Sequence, residues 1–175
     1  MEDMHMHLKK GVTDISIMQN YVEKCKEMKL NRVLFLDHGN RMSPKHTPVL
    51  NETKVIDKFF ENIKIVKENN PDIEINAGIE SDFSYDEEFK EKEIKILKSY
   101  PFDYIIGSVH GMEKANYIDY LQANIDMIKT YPINIVGHLK LRKEYEQYKE
   151  KIEEIVKLAT EKNLMFDINT SDRSR

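Results

Sequence analysis

Residues 73–82 read Ile-Glu-Ile-Asn-Ala-Gly-Ile-Glu-Ser-Asp. The first seven, Ile73–Ile79, form a short run rich in branched aliphatics. It follows the breaker Asn70-Pro71 and ends on the carboxylate Glu80. A run of this length between breakers reads as a buried strand, and a strand buried on both faces belongs to a parallel sheet.

The same unit recurs in both directions. Met4–Leu8, Arg32–Leu36, Tyr104–Gly107, Ile133–Val136 and Leu164–Ile168 are short apolar runs with similar boundaries. Between them lie amphipathic segments with apolar residues three and four apart, such as Val55, Phe59, Ile63 and Val66. These predict helices over about Thr13–Lys29, Asn51–Glu68, Asp86–Lys98, Asn116–Lys129 and Lys143–Lys162. Thr13 and Asp14 are cap candidates for the first. Asn70-Pro71, Tyr100-Pro101 and Tyr131-Pro132 stop three helices, because proline drives the preceding residue out of helical conformation. Six strands alternating with five helices imply an α/β fold, a parallel sheet with helices outside it. The longest irregular stretch, Gly39–Leu50, is a candidate active-site loop.

The bulk composition narrows the classes. The chain has 175 residues, enough for one domain spanning 1–175 and not comfortably two. It is 40% hydrophobic and 33% charged, with no stretch apolar enough for a bilayer span. The first residues lack a secretory apolar block, which points to the cytoplasm. One cysteine, Cys25, excludes an internal disulfide and a thiolate metal cage; it reads as a small buried hydrophobe. The net charge of −4 shows no basic nucleic-acid footprint.

Chemistry enters through position. Of six histidines, five fall within or at the C-terminal end of an expected strand. In a parallel barrel that end carries the active site. His5 and His7 lie in Asp3-Met4-His5-Met6-His7, where period-two alternation puts Asp3, His5 and His7 on one face. Asp37-His38 ends the second strand, with Asp37 a candidate orienting partner for His38. Glu80 ends the third, and a carboxylate can bridge two ions where a neutral imidazole cannot. Asp82 shares its face but is assigned to the loop. His110 and His138 end the fourth and fifth strands. Singly, each is a strand-end histidine with an ordinary hydrogen bond. Jointly, a metal site needs one cause where chance needs five. His46, in the loop, falls outside the pattern and reads as surface or substrate-facing.

The segments DMHMH (3–7), DH (37–38), GIESD (78–82), GSVH (107–110), GH (137–138) and DINTS (167–171), in this order, resemble the PHP (polymerase and histidinol phosphatase) superfamily, closest to its histidinol-phosphatase branch. The resemblance implies a distorted (β/α)7 TIM-like barrel, here shortened to about six βα units without the last Asp-x-His strand. For the open side three readings stay open: a shortened gene product, a second copy of the chain that closes the barrel as a homo-oligomer, or a site that works with fewer ligands. It also implies His5, His7, His38, Glu80, His110 and His138 as metal ligands, with Glu80 bridging. Up to three divalent ions are expected; zinc, manganese and iron all suit nitrogen and carboxylate donors. Asp167 stands where relatives usually carry Glu. The implied activity is metal-assisted hydrolysis of a small phosphomonoester, histidinol phosphate being the substrate the family suggests. Glu80, His110 and Asp37 are then the catalytic candidates. Arg142, Lys140 and Arg173 are the substrate-binding candidates, with Arg41 and Lys45 behind them. Two alternatives stay open: a PHP-type phosphodiesterase or exonuclease, and a metal-binding regulatory module.

Overall fold

A computed structural model describes residues 1–39, 50–112, 116–142 and 145–168. Among these, six strands form one sheet in the order β1-β2-β3-β4-β5-β6, every neighbouring pair parallel. They are β1 (Glu2–His7), β2 (Arg32–Leu36), β3 (Glu74–Asp82), β4 (Tyr104–Ser108), β5 (Ile135–Val136) and β6 (Met165–Phe166). Helices α1 (Ile15–Glu27), α2 (Thr53–Asn69), α3 (Glu87–Ser99), α4 (Tyr117–Thr130) and α5 (Lys149–Glu161) connect them in turn. The sheet curls into a half-barrel, the shape expected of a shortened PHP barrel.

Local chemistry accounts for the helix ends. Asp14 caps α1 by accepting from Ser16 N and Ile17 N, Asp86 caps α3 through Phe89 N, and Asn116 caps α4 through Ile118 N. Each satisfies amide donors that the first helical turn leaves without partners. The stops before Pro71, Pro101 and Pro132 fall where α2, α3 and α4 end. The fifth helix starts later than the sequence suggests, because Tyr145–Tyr148 forms a 3-10 turn ahead of it.

Two apolar layers hold the sheet. The larger, with Val22, Phe35, Phe59, Ile79, Leu121 and Ile155, fills the space between sheet and helices. The smaller lines the inside of the curl, with Leu34 and Leu36 of β2, Ile106 of β4 and Ile135 of β5, flanked by Met4 and Tyr104. Gly78 lets this layer close: a Cβ there would stand 2.8 Å from Leu34 Cδ1 and 3.0 Å from the Tyr104 carbonyl. Two-residue alternation then carries the inner face upward from Leu36 to His38, from Gly78 to Glu80, and from Ile106 through Ser108 to His110.

Only β2 keeps its expected extent: β1 begins two residues earlier and ends one earlier, and β4 gains Ser108. β3 runs on to Asp82, because Glu80, Ser81 and Asp82 stay in register with Ile106, Gly107 and Ser108 although they are polar. β5 is shortened to Ile135–Val136; Asn134 instead takes the Ile105 N–H on its side-chain oxygen at 2.8 Å. β6 is cut to Met165–Phe166. In β1 the register slips between Asp3 and Met6. This corrects the expectation that Asp3 shares a face with His5 and His7. Met4 packs with the inner apolar layer and Met6 with the outer one, so the irregularity turns both histidines inward and breaks their alternation with Asp3.

Candidate metal centre

The site lies above the inner apolar layer and is built around Glu80. This carboxylate is 1% exposed, yet five imidazoles face it. His5 Nε2, His7 Nε2 and His38 Nδ1 lie 3.3, 3.1 and 3.1 Å from Glu80 Oε2. His110 Nε2 and His138 Nε2 lie 3.4 and 3.1 Å from Oε1. Ladder registers bring these strand ends together, His7 opposite Leu36 and His38 bridged to Glu80.

Among the described residues, two groups converge closely enough to hold an ion: His5, His7 and Glu80, and Glu80, His110 and His138. Glu80 belongs to both. His38 joins the same cluster, its ring 4.5 Å from that of His7 and 5.8 Å from that of His110, but lies outside the two groups.

Three further carboxylates back the histidines from behind. Asp167 Oδ2 lies 2.9 Å from His5 Nδ1, Asp82 Oδ1 2.7 Å from His110 Nδ1, and Asp37 Oδ1 3.5 Å from His7 Nδ1. An ionised carboxylate only accepts, so a neutral imidazole facing it carries its proton on Nδ1 and turns its Nε2 lone pair to the centre, whereas a protonated ring must first release the Nε2 proton. His5 Nε2 and His7 Nε2 stand 3.0 Å apart. Two lone pairs at that distance repel unless a proton or a metal ion sits between them. A tetrahedral zinc ion with arms of about 2.0–2.1 Å has ligand-to-ligand edges of about 3.3 Å, close to these separations. The donor set therefore fits a divalent ion in each group.

Electrostatics give the same picture. Burial, the largest influence on Glu80, pushes its carboxyl upward. Hydrogen bonds from His138, His5 and His7, with the charge of His38, hold it well below the usual carboxylate range. Burial pulls His5 down, but Asp167 and Glu80 raise it to about 9. His7 is raised against burial by Asp37 and Glu80. Without metal, protonated imidazoles are what neutralise Glu80.

Asp37 departs from its expected role. It is 2% exposed, and its carboxylate takes the main-chain N–H groups of His38 and Lys9 and faces the His7 ring. It thus orients His7 from the adjacent strand and takes the main-chain N–H of His38. Its place is behind the His7 ring. Asp82, assigned to the loop by sequence, is buried against His110 instead; the alternation from Glu80 already pointed there. Asp167 entered the sequence analysis only as a departure from relatives, although it too ends a strand.

Lys140 and Arg142 are exposed on the segment leaving His138. Tyr117 Oη donates to the Lys140 carbonyl at 2.8 Å, Tyr120 Oη accepts from Lys140 N at 2.9 Å, and the Arg142 guanidinium lies 4.6 Å from the Tyr117 ring centre. Arg41, Lys45, His46 and Arg173, with most of the Gly39–Leu50 loop, lie outside the described residues.

A curated histidinol-phosphatase from Lactococcus lactis subsp. lactis (strain IL1403) is 24% identical over 184 residues, covering 95% of this chain and 65% of the relative. The chain thus spans a little under two thirds of that relative's length. The crystal structure of a Listeria monocytogenes protein described as a histidinol phosphatase, HisK, superposes with a TM-score of 0.69 at 17% identity, over 98% of this chain and 83% of that one. The PHP domain family matches residues 3–171, a span that contains every histidine and carboxylate of the cluster, and the chain belongs to that family.

Proposed function

We propose that this chain is a metal-dependent phosphatase acting on small phosphate monoesters, histidinol phosphate being the first substrate to test. One observation carries the reading: Glu80 is shared between two histidine pairs, and three of those four rings are backed by a carboxylate. Zinc, manganese or iron held there would supply Lewis acidity toward the phosphoryl oxygens and activate water.

The protein's own part is positional. Glu80 presents one oxygen to each half of the centre. Asp167, Asp37 and Asp82 set the tautomers of His5, His7 and His110, so that the Nε2 atoms converge without rearrangement. Lys140 and Arg142 offer cations beside His138, and Tyr117 and Tyr120 hold their backbone in place. The name of the Lactococcus relative supports a phosphomonoester as substrate.

The test is turnover by the zinc- or manganese-loaded chain of p-nitrophenyl phosphate and histidinol phosphate, beside bis(p-nitrophenyl) phosphate and single-stranded DNA. Monoester turnover that His110→Ala abolishes supports the reading. Preference for the diester or DNA moves the function to phosphodiester hydrolysis. Bound metal without turnover on any of them leaves a metal-binding regulatory module.

A further inference from the structure

The segments Gly107-Ser108-Val109-His110 and Gly137-His138 each carry a ligand candidate and a residue that the proposed chemistry leaves unused. Those two residues, Ser108 and Gly137, stand side by side. Gly107 pairs with Val136 in the ladder between β4 and β5, and Gly137 N donates to the Gly107 carbonyl at 2.8 Å. A Cβ on Gly137 would lie 2.3 Å from Ser108 Oγ, 2.9 Å from Ile106 Cγ2 and 3.0 Å from the Gly107 carbonyl oxygen. A methyl group there would force Ser108 aside or lift the end of β5 off β4.

The Ser108 hydroxyl is fully buried and has no hydrogen-bond partner among the described residues. A buried polar group left so in a native fold asks for a reason other than its hydrogen bonding. Its size supplies one, since Oγ fills the space that the missing side chain of Gly137 leaves. The ligands stand one step further along each segment. Ser108 and His110 share the inner face of β4 by two-residue alternation, and His138 follows Gly137 directly. His110 Nε2 and His138 Nε2 lie 3.4 and 3.1 Å from Glu80 Oε1, with ring centres 5.1 Å apart. The contact at the base of the two segments thus bounds the separation of the rings above it.

The backbone at His138 has little slack to absorb a shift. Its φ of +22° is a conformation that residues with side chains rarely adopt. Such a conformation persists where its surroundings over-determine it. Here Gly137 is tied to Gly107 on one side. On the other, Lys140 N donates to Tyr120 Oη at 2.9 Å and the Lys140 carbonyl accepts from Tyr117 Oη at 2.8 Å. The first group takes both its histidines from β1, away from the β4–β5 seam in the strand order.

We propose that Ser108 and Gly137 are positioning residues whose close contact sets the spacing of His110 and His138, and with it the affinity of the second half of the metal centre and not of the first. This rests on the metal-centre reading above. It adds that a serine and a glycine, neither of them a ligand, tune one half of the centre by size alone.

The experiment is competition for zinc(II) between a chromogenic chelator and the full chain. Zinc uptake by the wild type in two steps is the baseline, and the step that His110→Ala removes belongs to the second half. Gly137→Ala should weaken that step by about 10–100-fold, the range usual when the support behind a ligand is lost, and leave the other unchanged. Ser108→Ala alone should change either step little, because the ladder bond at the seam remains. In the double variant Ser108→Ala/Gly137→Ala the nearest clash is gone, and part of the lost affinity should return. General damage to packing would not be reversed by a second substitution. Nitrogen-15 spectra of the imidazoles give a further readout: zinc-loaded Gly137→Ala should lose the metal-bound shift of His138 Nε2 while His5 and His7 keep theirs. Unchanged zinc uptake in Gly137→Ala, equal loss at both steps, or a loss that the double variant does not relieve overturns the proposal. If Gly137→Ala does not fold, Ser108→Thr, which adds a methyl group at the same seam, decides by the same criterion, and no selective loss of the second step overturns it. A wild type that takes up no zinc, manganese or iron defeats the metal reading itself, a separate result.

Discussion

Strands β1–β4 and strands β5–β6 contribute to the same site by different means. The first group pairs over long ladders, with five consecutive partners between Gly78–Asp82 and Tyr104–Ser108. β5 and β6 pair over two residues, and Met165 and Phe166 of β6 are exposed. Each group still delivers essential polar atoms: His5, His7, His38, Glu80 and His110 from the first, His138 and Asp167 from the second. In the first group, ladder and core hold the side chains in place. In the second, polar side chains reaching back across the site hold the strand ends. The same bonds there tie the strand ends and shape the histidine cluster together.

Substituting the group that both regions share should have the largest effect. Glu80→Ala should abolish binding of both ions and lower p-nitrophenyl phosphate hydrolysis by at least about 10²–10³-fold, read by elemental analysis and steady-state rates. Retention of one ion would show that a half-site stands alone, and the contrast between regions would sharpen into independence.

One deletion made in both regions measures their difference directly. Phe35 is 0% exposed in β2, and Phe166 is 38% exposed in β6. Phe35→Ala should cost about 3–5 kcal/mol in urea unfolding, and Phe166→Ala about 1 kcal/mol or less. Equal losses would break the comparison, because β6 would then be part of the core.

Zinc uptake tests the pairing across the regions. His5 is raised to about 9 by Asp167 and Glu80 against burial, so its imidazole is protonated at pH 7 in the metal-free chain. Zinc requires the Nε2 lone pair and must displace that proton. Binding at pH 7 should release about one proton from this residue, and affinity should rise with pH until about pH 9. An indicator dye in weak buffer reads the release; zinc binding without it would refute this assignment of charge.

The smallest effect concerns the exposed cations. Tyr117→Phe removes the hydroxyl that donates to the Lys140 carbonyl at 2.8 Å. A single such bond is worth about 1 kcal/mol. KM should rise about fivefold with kcat unchanged, and a fall in kcat alone would place Lys140 and Arg142 in chemistry, not binding.

What the sequence revealed followed the same regional split. β2 and β4 were legible because breakers bound their apolar runs and their partners are aliphatic. β3 was read short, since a pattern based on hydrophobicity ends at Ile79 while the strand continues through buried Glu80, Ser81 and Asp82. β5 and β6 were read long, because Ile133 and Ile168 extend the apolar pattern without extending the ladder. The converging histidines were legible only as a set, from their shared strand-end positions. Their backing carboxylates were not, apart from Asp37, and Asp37 was paired with its neighbour His38. Each pairing depends on which strands lie side by side, and the slip in β1 between Asp3 and Met6 leaves no mark in period-two alternation.

The His5–Asp167 bond joins residues 162 apart in sequence. Contacts at such separation carry the greatest loop-closure entropy and slow folding. On a ribosome, His5 emerges 162 residues before its partner carboxylate. The complete constellation therefore cannot exist on a nascent chain until β6 has been synthesised. Until then the His5 ring lacks the carboxylate that faces its Nδ1, so the two ends of the sheet come under a shared constraint only once β6 is in place.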